Sequence, residues 1–252
     1  MIQQLSLRKA LFWFVIAVIL PSIACSGPVL VPNPTVLAPN DLSDTDFSLK
    51  EIFGYNLSHK NMQRINLSKS HITDSDFSYS DLRNADFSNT TIQRSDFTSA
   101  DLRGAKLDVA CLEDNVWTDA KLDDKWQEFV ELITDGVEPG QDLRSYDLSD
   151  VCLRILKWKG VNLSGTNLSG IYGVGVDLSD ANLSQSNLKE TIIIGSNLRS
   201  VDFTGADLTG AKFEGVNLQG AIITKEQLDG VVLDCVRLPD GTIAGKCYGD
   251  GP

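Results

Sequence analysis

Five cysteines, two histidines and a large excess of carboxylates are the residues here whose types could do chemistry. Cysteines make disulfides, metal sites or nucleophiles, and the spacing decides which. Cys25, Cys111, Cys152, Cys235 and Cys247 include no C-x-x-C pair, so no structural zinc site is suggested. Leaving Cys25 aside, an even four remain, and four cysteines allow three pairings or none. Cys235 and Cys247 are local enough to staple the C-terminal end, and Cys111 and Cys152 flank an insertion. The alternative is four separate thiols. His59 and His71 fall too far apart along the pattern described below to form a catalytic pair. No nucleophile elbow, zinc-protease motif, P-loop or dinucleotide fingerprint occurs. The expectation is no catalytic residue, no metal, no cofactor and no small-molecule substrate.

The carboxylates are placed by a period. Leucine recurs every fifth residue in DLSDANLSQSNL (177–188), with Asp or Asn before it each time. Neither the 3.6-residue helix nor the two-residue strand has that period. From Leu42 to Leu122 all seventeen positions of the frame are apolar. The frame is lost, returns shifted by one at Leu143, and runs to Leu238 with Gly173 its one break. In the middle of the first block and over 181–221 of the second, the position two residues before the large one is small or β-branched, as at Ala85, Thr90, Ala100, Ala181, Ala206 and Ala211. Each pentad therefore points one large and one small group inward and leaves the rest, rich in Asp, Asn, Ser and Thr, outside. Stacked units of this kind bury a continuous stripe. On those faces a carboxylate lacks the desolvation that tunes a general acid.

ADFSN, ADLRG, ANLSQ, ADLTG and AKFEG in tandem resemble the pentapeptide-repeat family over about 41–122 and 143–238. The resemblance implies an all-β solenoid, a right-handed quadrilateral β-helix in which one pentad makes one side of a square. About nine coils at a strand-like spacing of about 4.8 Å give a rod roughly 45 Å long.

Other segments frame the repeat. Residues 1–24 have the layout of a secretory signal: Arg8 and Lys9, the apolar run Ala10–Leu20, then PSIA. PSIAC followed by SG resembles a bacterial lipoprotein signal, with Ser22 where Leu is usual, and implies lipidation of Cys25; simple cleavage and an uncleaved anchor are the other readings. All three put the body outside the cytoplasm. Residues 25–40 hold Pro28, Pro32, Pro34 and Pro39 and read as an extended tether. Lys50, Tyr55 and Lys60 do not suit a small inward site, which predicts an irregular first coil over 41–64 capping the open end. The insertion 123–142 carries Trp126, Phe129, Val130 and Ile133 at helical spacing, with Asp124 as N-cap, Gln127 as its capping-box partner and Gly136 at the C-terminal end. Its stripe packs on the rod or docks a partner; in the second case Trp126, Phe129 and Trp158 are the binding residues. Residues 239–252, opening with the turn signal Pro239-Asp240-Gly241, form a C-terminal cap and tail.

A net charge of −12 argues against binding nucleic acid or anionic lipid directly. The composite expectation is a non-enzymatic rod, held to a bacterial cell or outer membrane by an N-terminal lipid, that binds or scaffolds an unknown protein. The alternative comes from the resemblance: some members of the family mimic DNA, bind type II topoisomerases such as gyrase and protect against quinolones. Loss of residues 1–24 would leave −14, roughly half the charge of duplex DNA of that length.

Overall fold

The structure is a computed structural model describing residues 39–247. The signal segment, Cys25, most of the tether and the last five residues lie outside the described residues.

Five residues make one side of a four-sided coil, so residue i pairs in parallel with residue i+20. Asn61 bridges to Asp81 and Asp81 to Asp101, and Asn162 to Asn182 and on to Asp202. On one side of every coil the pairing lengthens to a three-residue strand. β1 (Glu51–Phe53), β2 (His71–Thr73), β3 (Thr91–Gln93) and β4 (Cys111–Glu113) form one parallel sheet. β5 (Cys152–Arg154), β6 (Tyr172–Val174), β7 (Ile192–Ile194), β8 (Lys212–Glu214) and β9 (Val232–Asp234) form the second. The whole is a β-solenoid of about nine turns.

Local chemistry explains the motif. The Asp or Asn that begins a pentad accepts the N–H two residues on, as Asp76 Oδ1 does from Ser78 (2.9 Å) and Asn182 Oδ1 from Ser184 (2.9 Å). This Asx turn bends the chain at the corner. The next residue, Leu or Phe, points inward: Met62, Phe77, Leu82, Phe97, Leu198, Phe203 and Phe213 are buried. Each such side chain contributes about 1.5–3 kcal/mol. The fourth residue takes left-handed φ, +58° at Asn84 and +74° at Gly210. The fifth, small and inward, closes the corner through its N–H, as Ala85 N donates to Leu82 O (3.0 Å). At several Ser and Thr in this position the buried hydroxyl donates to the same carbonyl: Ser80 to Phe77 (2.5 Å), Thr191 to Leu188 (2.9 Å). At Gly173 the missing large side chain is replaced by its neighbours. A Cβ there would stand 3.6 Å from Val176 and 3.9 Å from Ile171, both large for the small site.

The first coil departs from expectation. It is in register from its start, with Asp41 bridged to Asn61 and Asp46 to Asn66, and β1 paired with β2. The open end is covered by half-buried Phe47 and Tyr55 rather than by irregular backbone. Tyr55 fits because an end coil has no lower neighbour to crowd it.

At the joint between the blocks one coil is interrupted by a helix. β4 lies beside β5, and Cys111 and Cys152 are 4.9 Å apart at Cα although 41 residues separate them. Regular stacking would put residue 131 there. Instead α1 (Asp124–Asp135) leaves the coil path and buries Trp126, Phe129, Val130 and Leu132 against the core. Leu132, outside the expected stripe, is buried, while Ile133 is half-buried. The N-cap is Asp123, not Asp124, and no side chain caps the helix. Asp123 Oδ2 is engaged by the N–H of Gly104 (3.0 Å), and the Gln127 amide turns along the helix to Glu131 (2.8 Å). A tertiary bond has taken the capping carboxylate. Lys125 ties the helix to the second block, donating to Ser149 O (2.7 Å).

At the C-terminal end α2 (Lys225–Asp229) opens with a full capping box between Thr224 and Gln227. The Gln227 amide also donates to Phe203 O (2.8 Å) and Ala206 O (2.9 Å) of the coil below. β10 (Val236–Arg237) and β11 (Ile243–Ala244) make an antiparallel hairpin, and Cys235 is bonded to Cys247.

Candidate interaction surface

The carboxylates have structural work. Hydrogen bonding from the Arg144 guanidinium holds the Asp142 carboxyl down at about 2. At Asp207 the Thr209 hydroxyl does most of this, with the Thr209 N–H and Lys189 adding to it, and the carboxyl again sits at about 2. Asp81 and Asp101 are lowered chiefly by hydrogen bonds from Arg83 and Arg103. Groups held so firmly ionised are turn caps and ion-pair partners; a general acid needs the opposite shift. Among the described residues no cluster of His, Cys, Asp and Glu is arranged to hold a metal ion. His59 stacks on Tyr79 with centroids 4.8 Å apart, and His71 lies in β2.

The aromatic candidates at the joint do not offer a docking surface. Trp126, Phe129 and Trp158 are 7%, 1% and 2% exposed. Trp126 meets Phe129 edge to face at 6.2 Å and carries the Lys125 ammonium 4.8 Å above its ring. Trp126 and Phe129 turn from α1 into the core, because a helix inserted into a solenoid must cover the coil ends it interrupts, and Trp158 is an inward rung of the second block. Of the cysteines, Cys111 is bonded to Cys152 (2.03 Å) and Cys235 to Cys247.

A cluster of outward, half-buried apolar residues lies elsewhere, on the outer face of the β5–β9 sheet. In a three-residue strand the middle side chain points inward and the outer two point out. In β6 and β7 those outward residues are Tyr172, Val174, Ile192 and Ile194, paired rung on rung. Ile155, 68% exposed, stands at the corner just before them. It is a β-branched residue at φ +56°, a conformation such residues rarely hold. Below it the joint opens into a crevice of about 320 Å³ between Leu112, Ile133, Arg154 and Leu156. The Arg154–Glu113 ion pair (3.2 Å) spans its floor. On the first sheet the same outward positions hold His71, Thr73, Thr91 and Gln93. Reading inward frames alone missed this face; the signal was present in TIIIG (191–195), where the residues flanking the inward Ile193 are as apolar as Ile193 itself.

Twenty-residue coils with an Asx turn, a large and a small inward residue on each side match one known family. Its model, pentapeptide repeats, fits eight copies over residues 56–89, 159–193 and 181–220. Over those residues the chain carries pentapeptide repeats. No catalytic family is indicated. Among solved structures it is similar to HetL, a pentapeptide-repeat protein involved in heterocyst differentiation regulation in the cyanobacterium Nostoc sp. The identity is 23%, over 81% of this chain and 92% of that one, with a TM-score of 0.28. Full-length QnrB1, a plasmid-mediated fluoroquinolone resistance protein, is 20% identical over 79% of this chain and 80% of its own, TM-score 0.31. A thylakoid-lumen pentapeptide-repeat protein of Arabidopsis thaliana is 19% identical over 81% and 85%, TM-score 0.24. Comparison with curated proteins gave no match.

Proposed function

We propose that this protein is a non-enzymatic binding or scaffold rod, held outside the cytoplasm by a lipid on Cys25. The observation that carries the binding role is the apolar outer face of β6 and β7, on a rod many of whose carboxylates are occupied by their own turns and ion pairs. A rigid solenoid presents such a face without reorganising, which keeps the entropic cost of association low. Two features support the location. The sequence before Cys25 has the three parts of a secretory signal. Both cysteine pairs of the body are bonded, which suits an oxidising compartment. The test is expression in a bacterium of the full chain and its Cys25→Ala variant, with a palmitate analogue and fractionation. Label and membrane pelleting in the wild type, lost in the variant, are expected. An unlabelled chain that stays soluble in the cytoplasm would overturn the anchor and make gyrase inhibition the next assay.

A further inference from the structure

We infer that the outer face of the β5–β9 sheet pairs with the same face of a second copy of this chain, the two rods antiparallel. The argument is the symmetry of the ladder. Six rungs run up this face: β4, β5, β6, β7, β8 and β9. The disulfide keeps the β4-to-β5 step at 4.9 Å, close to strand spacing, although the chain leaves for a helix between them. A two-fold axis parallel to the strands, lying between β6 and β7, exchanges the rungs from the centre outward. Val174 then meets Ile194 of the second copy and Tyr172 meets its Ile192, apolar on apolar. One rung out, Arg154 meets Glu214 of the second copy, opposite charges placed twice by the symmetry, while Lys212 meets the disulfide-bonded Cys152. At the outermost rungs Val232, 60% exposed, meets the β4 rung, where the joint crevice opens. Glu113 and Asp234 also meet there. Glu113 is already engaged by Arg154 and by the Gln93 amide (2.5 Å), so their like charges are blunted.

A face that is its own complement under one two-fold axis is what an isologous dimer requires. Ile155 is a second, independent sign. A β-branched residue held at positive φ is strained, and glycine fills the corresponding corners at Gly175, Gly195 and Gly215. Its large exposed side chain borders the apolar rungs, where it adds contact area to the pairing. Six rungs span about 24 Å and each is about 10 Å wide, so the area covered per copy is small and the dimer is weak.

This inference deepens the reading of the rod as a binding module and rests on that reading, but not on the anchor. The test is sedimentation equilibrium of the full chain in a density-matched detergent, from about 5 to about 200 µM. A concentration-dependent dimer is expected. Ile194→Asp should leave a monomer with unchanged circular dichroism, and Glu214→Arg should weaken the dimer about tenfold. Ile155→Gly removes strain along with contact area; it should keep or raise the unfolding temperature while weakening the dimer. A wild type monomeric throughout, or a dimer indifferent to Ile194→Asp, overturns the pairing. The first outcome would leave the face to a different protein or a bilayer and would not touch the palmitate result.

Discussion

The two blocks build the same coil with different corners. In the first, the left-handed fourth position holds glycine only at Gly54 and Gly104, against fourteen other residues; in the second, nine glycines stand against seven. A side chain at positive φ costs roughly 1–2 kcal/mol, less for Asn and Asp. The first block offsets that by making the corner side chains meet up the rod. Asp44 pairs with Arg64 and Asp74 with Arg94, each bidentate, and His59 stacks on Tyr79. Inside, Phe77, Phe97 and Trp117 stack at 4.9 and 4.6 Å. The second block relieves about half of its corners with glycine and fills its core mainly with leucine. One block is held more by ladders of side chains, the other by a less strained backbone.

The largest expected effect breaks the aromatic stack. Phe97→Ala should destabilise the protein by about 4 kcal/mol, against about 3 for Leu198→Ala in the second block. Hydrogen exchange should show the loss confined to the first block in the former case. Next is the joint. Cys111→Ser with Cys152→Ser should cost about 3 kcal/mol and split denaturant unfolding into two transitions, one per block. A single unchanged transition would mean that α1 alone couples them.

Smaller effects sharpen the contrast at the corners. Gly210→Ala, at φ +74°, should destabilise by about 1 kcal/mol, whereas Leu49→Gly, at φ +57° and without a ladder partner to lose, should be neutral or stabilising by about 0.5 kcal/mol. Thermal midpoints of the two variants would settle the sign. The smallest effect is on titration. Asp142 and Asp207 are depressed in the folded chain, so their contribution is present above the ordinary Asp value and fades as pH falls toward about 2. Carbonyl NMR should put the Asp142 midpoint near 2, and Arg144→Ala should return it toward 3.8.

The five-residue period was legible because each side of the coil repeats the same corner, so Leu, Asp and Ala carry their roles locally. What tertiary contact decides was not. Asp123 rather than Asp124 is the N-cap of α1, and its carboxylate answers to Gly104, nineteen residues back, a bond no local pattern announces. Trp126 and Trp158 read first as filling and second as a docking patch, since composition does not say which side of a helix meets the rod. The apolar face escaped notice for another reason. Its residues fall on outward positions, which the inward frame trains the eye to skip.

Because residue i stands beside residue i+20, a residue number works as an address: its remainder after division by twenty names the side of the rod, and its quotient names the height. An insertion of five residues would rotate every later side by a quarter turn, and one of any other small size would scramble it. The helix at the joint is where that rule is suspended. The chain resumes one residue out of step, yet β5 comes to rest beside β4. Such a joint lets whole coils be gained or lost on one side while every address on the other stays valid.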